Sequence, residues 1–348
     1  MSESVPGVDL TAGARDAIAS GVLWPGWLVT VALVVPFLLG ASVPLWVQAV
    51  PLAVSALVLG LPHGAVDHLA LPRVRGRRPT WRAMGAVGLL YLVCGLAYGV
   101  VWYVAPVVAF AGFILLTWFH WGQGDLYALL AFARVEALES RLQRALAVVV
   151  RGGLPMLVPL LAFPDWYRRV ALALTSLFEA DSLAGLTWLF RVETRLALGA
   201  AYGLLIAGYL ALGYVRTGSD RTPWLIDAGE TLLLAVYFAV VPPLLAIGVY
   251  FCVWHSLRHI VRLVLLPRRT RDAVRTGRLW SALGRFAVEA TPLTLAALAL
   301  LGGLWLFVPR RPGDVLGLLA VYLVLIAMLT LPHVAVVTWM DREQAVWG

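Results

Sequence analysis

Apolar residues fill this chain in long runs, and polar residues gather in short stretches between them. A run of about 20 apolar residues is long enough to cross the hydrocarbon core of a bilayer as a helix. Ten such runs are readable, at 24–47, 50–72, 84–105, 107–133, 145–163, 170–190, 196–215, 228–265, 283–308 and 314–340. The sixth is the least regular, because Glu179 and Asp181 interrupt it, and an interfacial segment or the wall of a polar cavity is the alternative for it. The pattern predicts an all-α, polytopic membrane helix bundle of about 10 transmembrane helices, with residues 1–348 as a single integral membrane domain. Residues 1–22 form a polar N-terminal segment without the basic start of a signal peptide, so the first run is expected to stay as a helix.

Composition agrees. The 348 residues are 61% hydrophobic and only 13% charged, whereas a soluble domain runs near 45–50% apolar and about 25% charged. The excess apolar surface needs lipid around it. All 27 basic residues are arginine, and the formal charge of +8 raises the question of nucleic acid. No basic groove interleaved with stacking aromatics accompanies it, so the arginines read as topology signals and nucleic acid is not an expected partner. Arg73 to Arg78, Arg134 to Arg151 and Arg268 to Arg285 are the rich stretches. The alternate loops hold only Arg168-Arg169, Arg216 with Arg221, and Arg310-Arg311. Ten spans put the rich stretches and both termini on one side, which the positive-inside rule makes cytoplasmic, in the cell (plasma) membrane. Cys94 and Cys252 both lie in apolar runs, which argues against a disulfide framework or a thiolate metal site.

The chemistry sits in four short stretches that hold all six histidines: Gly60 to His68, Trp118 to Gly122, Trp254 to His259, and Leu331 to His333. An ionisable side chain inside a bilayer is costly and marks a functional site by default. All four stretches fall on even-numbered runs, and His63, His120, His255 and His333 lie about 8–14 residues before the arginine-rich side. At about 1.5 Å rise per residue they share a depth to within about two turns. His255 and His259, four apart, stack on one helix face; His63 and His68, five apart, diverge unless Pro62 and Gly64 loosen the helix. The expectation is convergence on one buried ion through His63, His120, His255 and His259. His68, His333, Asp67 and Asp125 are candidates for additional ligands or for hydrogen-bonding partners of the ligands. Glu230, Glu289 and Asp341 are further acids of that second kind. The bland alternative is that Asp67, Asp125 and Asp341 mark helix ends, that Glu230 and Glu289 reach water, and that Arg262 snorkels to its basic loop. Imidazole ligation alone suits iron, copper, zinc or nickel. Trp118, Phe119, Trp121, Phe251 and Trp254 flank the histidines as candidates to line a pocket for a flat, apolar substrate.

The motifs GLPHGAVDH, WFHWGQGD, WHSLRH and LPHVAVVTWMD resemble, in order and spacing, the Brp/Blh family of membrane β-carotene 15,15′-dioxygenases, from about Leu52 to Asp341. The resemblance implies a ferrous (Fe2+) enzyme that uses O2 to split the central double bond of β-carotene, or a related carotenoid, into two retinals that serve rhodopsins. It implies iron-binding histidines in the PHG motif, the FHWG motif and at both ends of WHxxxH, which are His63, His120, His255 and His259 here. Two other classes compete. A di-iron membrane hydroxylase or desaturase acting on a carotenoid or lipid would carry an HxxHH box, absent from this chain. A non-enzymatic metal or retinoid transporter would carry acidic residues at the histidine depth and a polar path across both leaflets.

Overall fold

The computed structural model describes residues 10–135, 138–179 and 182–348; the first nine residues of the polar N-terminal segment, and Asp181, lie outside them. The described residues are helical, with no strand among them. Ten helices among them are long and apolar enough to cross a membrane: α1 (Ala12–Leu38), α2 (Leu45–Val74), α3 (Trp81–Val104), α4 (Pro106–Ala133), α5 (Arg141–Ala162), α7 (Val192–Arg216), α8 (Thr222–Val240), α9 (Pro243–Val264), α11 (Leu279–Phe307) and α12 (Val315–Glu343). Two shorter helices complete the set, α6 (Pro164–Thr175) and α10 (Arg268–Arg275).

The count of ten matches the expectation, but its membership does not. The run at 170–190 is not a span. Helix α6 has 12 residues, about 18 Å of rise against a hydrocarbon core of about 30 Å, and a 3-10 segment over Ser182–Phe190 follows it. The run at 228–265 is instead two spans, because Pro242 and Pro243 supply no backbone N–H and stop the helix after Val240. Parity of the histidine-bearing spans survives, since one loss and one gain cancel.

Two loops change ends as a result: the one at Arg191 and Arg195 moves to the far end, where Arg195 donates to the Leu161 carbonyl at 2.9 Å, and the one after Arg216 moves the other way. Arg216 was expected opposite the arginine-rich stretches, yet it donates to Ser140 Oγ at 3.3 Å and to Gln143 Oε1 at 3.0 Å, at the head of α5. Two arginines move each way, so the arginine bias between the two ends stays as the sequence suggested. Both ends of the described chain gather at that same face. Gly13 approaches the Arg275 carbonyl, and Arg144 donates to the Val346 carbonyl at 3.0 Å. At the other face, the Arg310 amide donates to the Leu177 carbonyl at 3.2 Å.

The spans divide into an inner and an outer set. In the apolar stretch of α9, 78% of residues are buried, against 11% in each of α3, α7 and α11. The outer three present Leu89, Leu204 and Val288 outward, each more than half exposed, as lipid-facing helices do. Helices α4 and α5 approach closely: a Cβ on Gly122 would collide with the Val148 carbonyl, and one on Gly152 with the Trp118 carbonyl. Small residues permit this backbone contact in a bilayer, where no hydrophobic force drives helices together.

Candidate metal centre

Helix α2 is broken where its histidines lie. It runs as Leu45–Ser55, Gly60–Gly64 and Asp67–Val74, with turns between, so the break expected around Pro62 and Gly64 is present. His63 sits in the middle piece, its Nδ1 against the Gly60 carbonyl. The π-helical segment Tyr250–Ser256 within α9 carries His255, and His259 follows in the regular helix. Such wide turns recur at functional sites because they rotate one side chain relative to the rest of the helix. His120 comes from the interior of α4 and His333 from α12, one residue after Pro332.

These five histidines form one buried cluster, each at most 8% exposed. The His63 ring centroid lies 5.6 Å from those of both His255 and His259 and 4.8 Å from that of His333. His120 lies 4.7 Å from both His255 and His333. Ligand atoms of His63, His120 and His255 fall within 4.8 Å of one another, as do those of Asp67, His259 and His333. The chain therefore brings together the four histidines expected as ligands, and adds His333 to them. His68 does not join the rings; it is half-buried on the cavity wall below.

The donor set fits a metal on its own chemistry. The Nε2 atoms of His63, His259 and His333 are buried with no hydrogen-bond partner. The Nε2 atoms of His120 and His255 face each other at 3.0 Å. Two imidazole nitrogens held at right angles on one ion, each at about 2.1 Å, stand about 3.0 Å apart. Buried polar atoms are otherwise almost always paired, so five unsatisfied or mutually facing ring nitrogens at one level call for a common partner. His333 is also oriented from behind: its Nδ1 lies 2.7 Å from Asp67 Oδ2, which accepts a second hydrogen bond from Tyr91 at 2.6 Å. A carboxylate behind an imidazole fixes which nitrogen carries the proton and leaves the other free to ligate.

Asp125 lies elsewhere, in a buried ion-pair network that the sequence did not suggest. Its Oδ2 accepts from Arg151 Nε at 3.0 Å, and its Oδ1 from the Trp254 indole at 3.1 Å. Arg151 also pairs with Glu230, which Arg258 holds from the other side at 2.5 Å. Arg262 pairs with Asp341 at 2.7 Å. So Arg151 is not a loop arginine, Arg262 does not snorkel, and Glu230 does not reach water; all three are at most 4% exposed. Asp341, Asp67 and Asp125 are likewise buried partners rather than helix-end markers. Glu289 is half-exposed, paired with Arg73 at 2.7 Å. The available clue was Arg151 itself, an arginine well inside an apolar span.

A cavity of about 350 Å³ opens beside the cluster, touched by His63, His120 and His333 and otherwise almost wholly apolar. Of the aromatic residues flanking the histidines, Trp121 and Phe251 line it, stacked on each other with centroids 5.9 Å apart. Trp118, Phe119 and Trp254 do not. Trp118 donates to the Val149 carbonyl, Phe119 is 37% exposed, and Trp254 lies under Arg258 at 4.0 Å.

Comparison with known proteins gives a consistent picture. The family model described as beta-carotene 15,15′-dioxygenase matches residues 54–341. A probable beta-carotene 15,15′-dioxygenase Blh of Halobacterium salinarum is 49% identical over 337 residues, 97% of each chain. A probable beta-carotene 15,15′-dioxygenase Brp of the same species is 32% identical over 322 residues, 88% of each chain. A beta-carotene 15,15′-dioxygenase of an uncultured marine bacterium is 24% identical over 202 residues, 58% of this chain and 64% of its own. No solved structure matches.

Proposed function

The chain belongs to the β-carotene 15,15′-dioxygenase family of enzymes, and from that premise we propose that it cleaves the central double bond of β-carotene with O2, giving two molecules of all-trans-retinal. One C=C and one O2 are consumed and two C=O groups form, so the reaction balances without a further reductant. The observation that carries the reading is the set of five buried imidazoles with Nε2 atoms unpartnered or face to face, opening on an apolar cavity.

Iron(II) is the ion proposed, held by His63, His120, His255 and His259, with His333 as a further donor. When bound, it supplies the redox-active centre at which O2 and the double bond meet. The rest of the chemistry belongs to the protein. Trp121 and Phe251 offer aromatic surface against which a polyene can pack, and the apolar lining keeps water from the reacting bond. Asp67 and Tyr91 hold His333 in its tautomer. The arginine-rich face is taken as cytoplasmic in the cell membrane, and the retinal released into the bilayer is available to a rhodopsin there.

The test is the purified protein's metal content together with its products in a carotenoid-producing host. About one iron per chain and accumulation of retinal are expected. Absence of any carotenoid-derived aldehyde with iron bound would sink the cleavage reading, and two irons per chain would turn it towards a di-iron hydroxylase.

A further inference from the structure

The cavity beside the histidines has two unlike ends. On one side it reaches the lipid-facing surface between α3 and α11, where its lining includes the exposed Gly88, Leu293, Ala296 and Leu300. On the other it runs inward between α4, α9 and α12, past Ile114, Ile247 and Ile326, which are partly buried and none of them exposed. The inward arm extends from His120 to Phe110 along α4 and from His333 to Leu323 along α12, ten residues in each case. At helical rise that is a depth of about 15 Å, the reach of one ionone ring with its half of the polyene.

Helix α6 closes this arm. Tyr167, Val170 and Leu174, spaced three and four apart, turn one face of α6 into the cavity. Tyr167 meets Phe110 edge to face, with centroids 6.4 Å apart, so α6 is seated against the deep end of α4. The segment too short to cross the membrane thus has a place: it is the end wall of a blind arm.

We propose that α6 is a depth gauge. A carotenoid enters end-on from the lipid between α3 and α11, its leading ring slides past the histidines into the blind arm, and contact with the Tyr167–Val170–Leu174 face fixes which double bond lies at the cluster. This rests on the carotenoid-cleaving reading above. A symmetric cut then requires no recognition of the polyene centre, whose double bonds resemble their neighbours; it requires only an arm of the right length.

The experiment is Val170→Trp in the full-length protein, assayed on β-carotene for every aldehyde formed and for bound iron. Val170 is half-buried on the wall, so the larger ring shortens the arm. The expected result is retained iron, about a hundredfold less retinal, as displacement of a reacting bond by an ångström or more costs, and a new unequal pair of aldehydes, one shorter and one longer than retinal. Val170→Ala lengthens the arm without a clash and is expected to add a minor unequal pair; it carries the test if the tryptophan variant loses its iron. Retinal as the sole product of both variants, at wild-type rate, would overturn the gauge while leaving the cleavage reading intact. A wild-type protein that forms no aldehyde at all would sink the reading on which the gauge depends.

Discussion

Helix α9 serves two buried polar regions at once, and they differ in kind. His255 and His259 face the imidazole cluster; Arg258 and Arg262, interleaved with them, face the ion-pair networks. In the networks each guanidinium meets a carboxylate: Arg151 with Asp125 and Glu230, Arg258 with Glu230, Arg262 with Asp341. In the cluster the Nε2 atoms of His63, His259 and His333 have no partner within the protein. Both regions are buried. A buried polar group that is satisfied by the fold is a fastening between helices; one left unsatisfied is held open for something the chain does not supply.

The sharpest way to break that comparison is to remove one residue from each side and ask what is lost. His255→Ala removes a ring nitrogen whose one polar neighbour within hydrogen-bond distance is another imidazole of the cluster, His120 at 3.0 Å. Bound iron and retinal formation are both expected to vanish, while the metal-free protein melts at nearly the wild-type temperature. Iron retained at the wild-type level, by elemental analysis, would mean the cluster is not the ligand set. Arg151→Met should do the reverse. It leaves the Asp125 and Glu230 carboxylates short of a counter-ion in a fully buried site, which costs about 3–5 kcal/mol of stability. Thermal melting and the yield of folded protein would fall, and activity per iron-loaded molecule would stay close to wild type. A fall in turnover with no loss of stability would place the network in the chemistry instead.

The same contrast explains what was legible in the sequence. Histidines are scarce in apolar runs, so His63, His120, His255 and His259 announced themselves, and the shared depth of His63, His120, His255 and His333 followed from counting residues to the arginine-rich side. The charged networks did not, because each of Glu230, Asp125 and Asp341 is near enough to a span end to pass for a surface residue. Only the folded packing, with Gly122 and Gly152 letting α4 and α5 touch, brings Asp125 beside Arg151. The division of 228–265 was readable in principle: 38 residues exceed one crossing, and Pro242-Pro243 marks the break. Hydropathy alone hid it, and it also joined the apolar second half of α6 to the 3-10 segment Ser182–Phe190 as if they were one span, because a run of apolar residues does not show where a helix stops.

Asp67 belongs to neither region cleanly, and the smallest expected effect is the one that decides its place. Its Oδ2 accepts from Tyr91 and faces His333 Nδ1, while its Oδ1 is buried without a partner. One of its oxygens also lies within 4.8 Å of ligand atoms of His259 and His333. If it orients His333, Asp67→Asn keeps an oxygen that can accept from the imidazole but loses the charge that makes the ring a better donor to the ion. Iron affinity, measured by competition with a chelator, should then fall about 10–100-fold with stoichiometry at saturation and melting temperature unchanged. Tyr91→Phe, which removes the second hydrogen bond to Oδ2 and leaves His333 its partner, should cost less than Asp67→Asn. If Asp67 is instead a ligand, the asparagine variant loses iron even at saturating concentration, while Tyr91→Phe retains it. The order of the two variants, more than the size of either effect, separates a carboxylate that steers an imidazole from one that grips the ion.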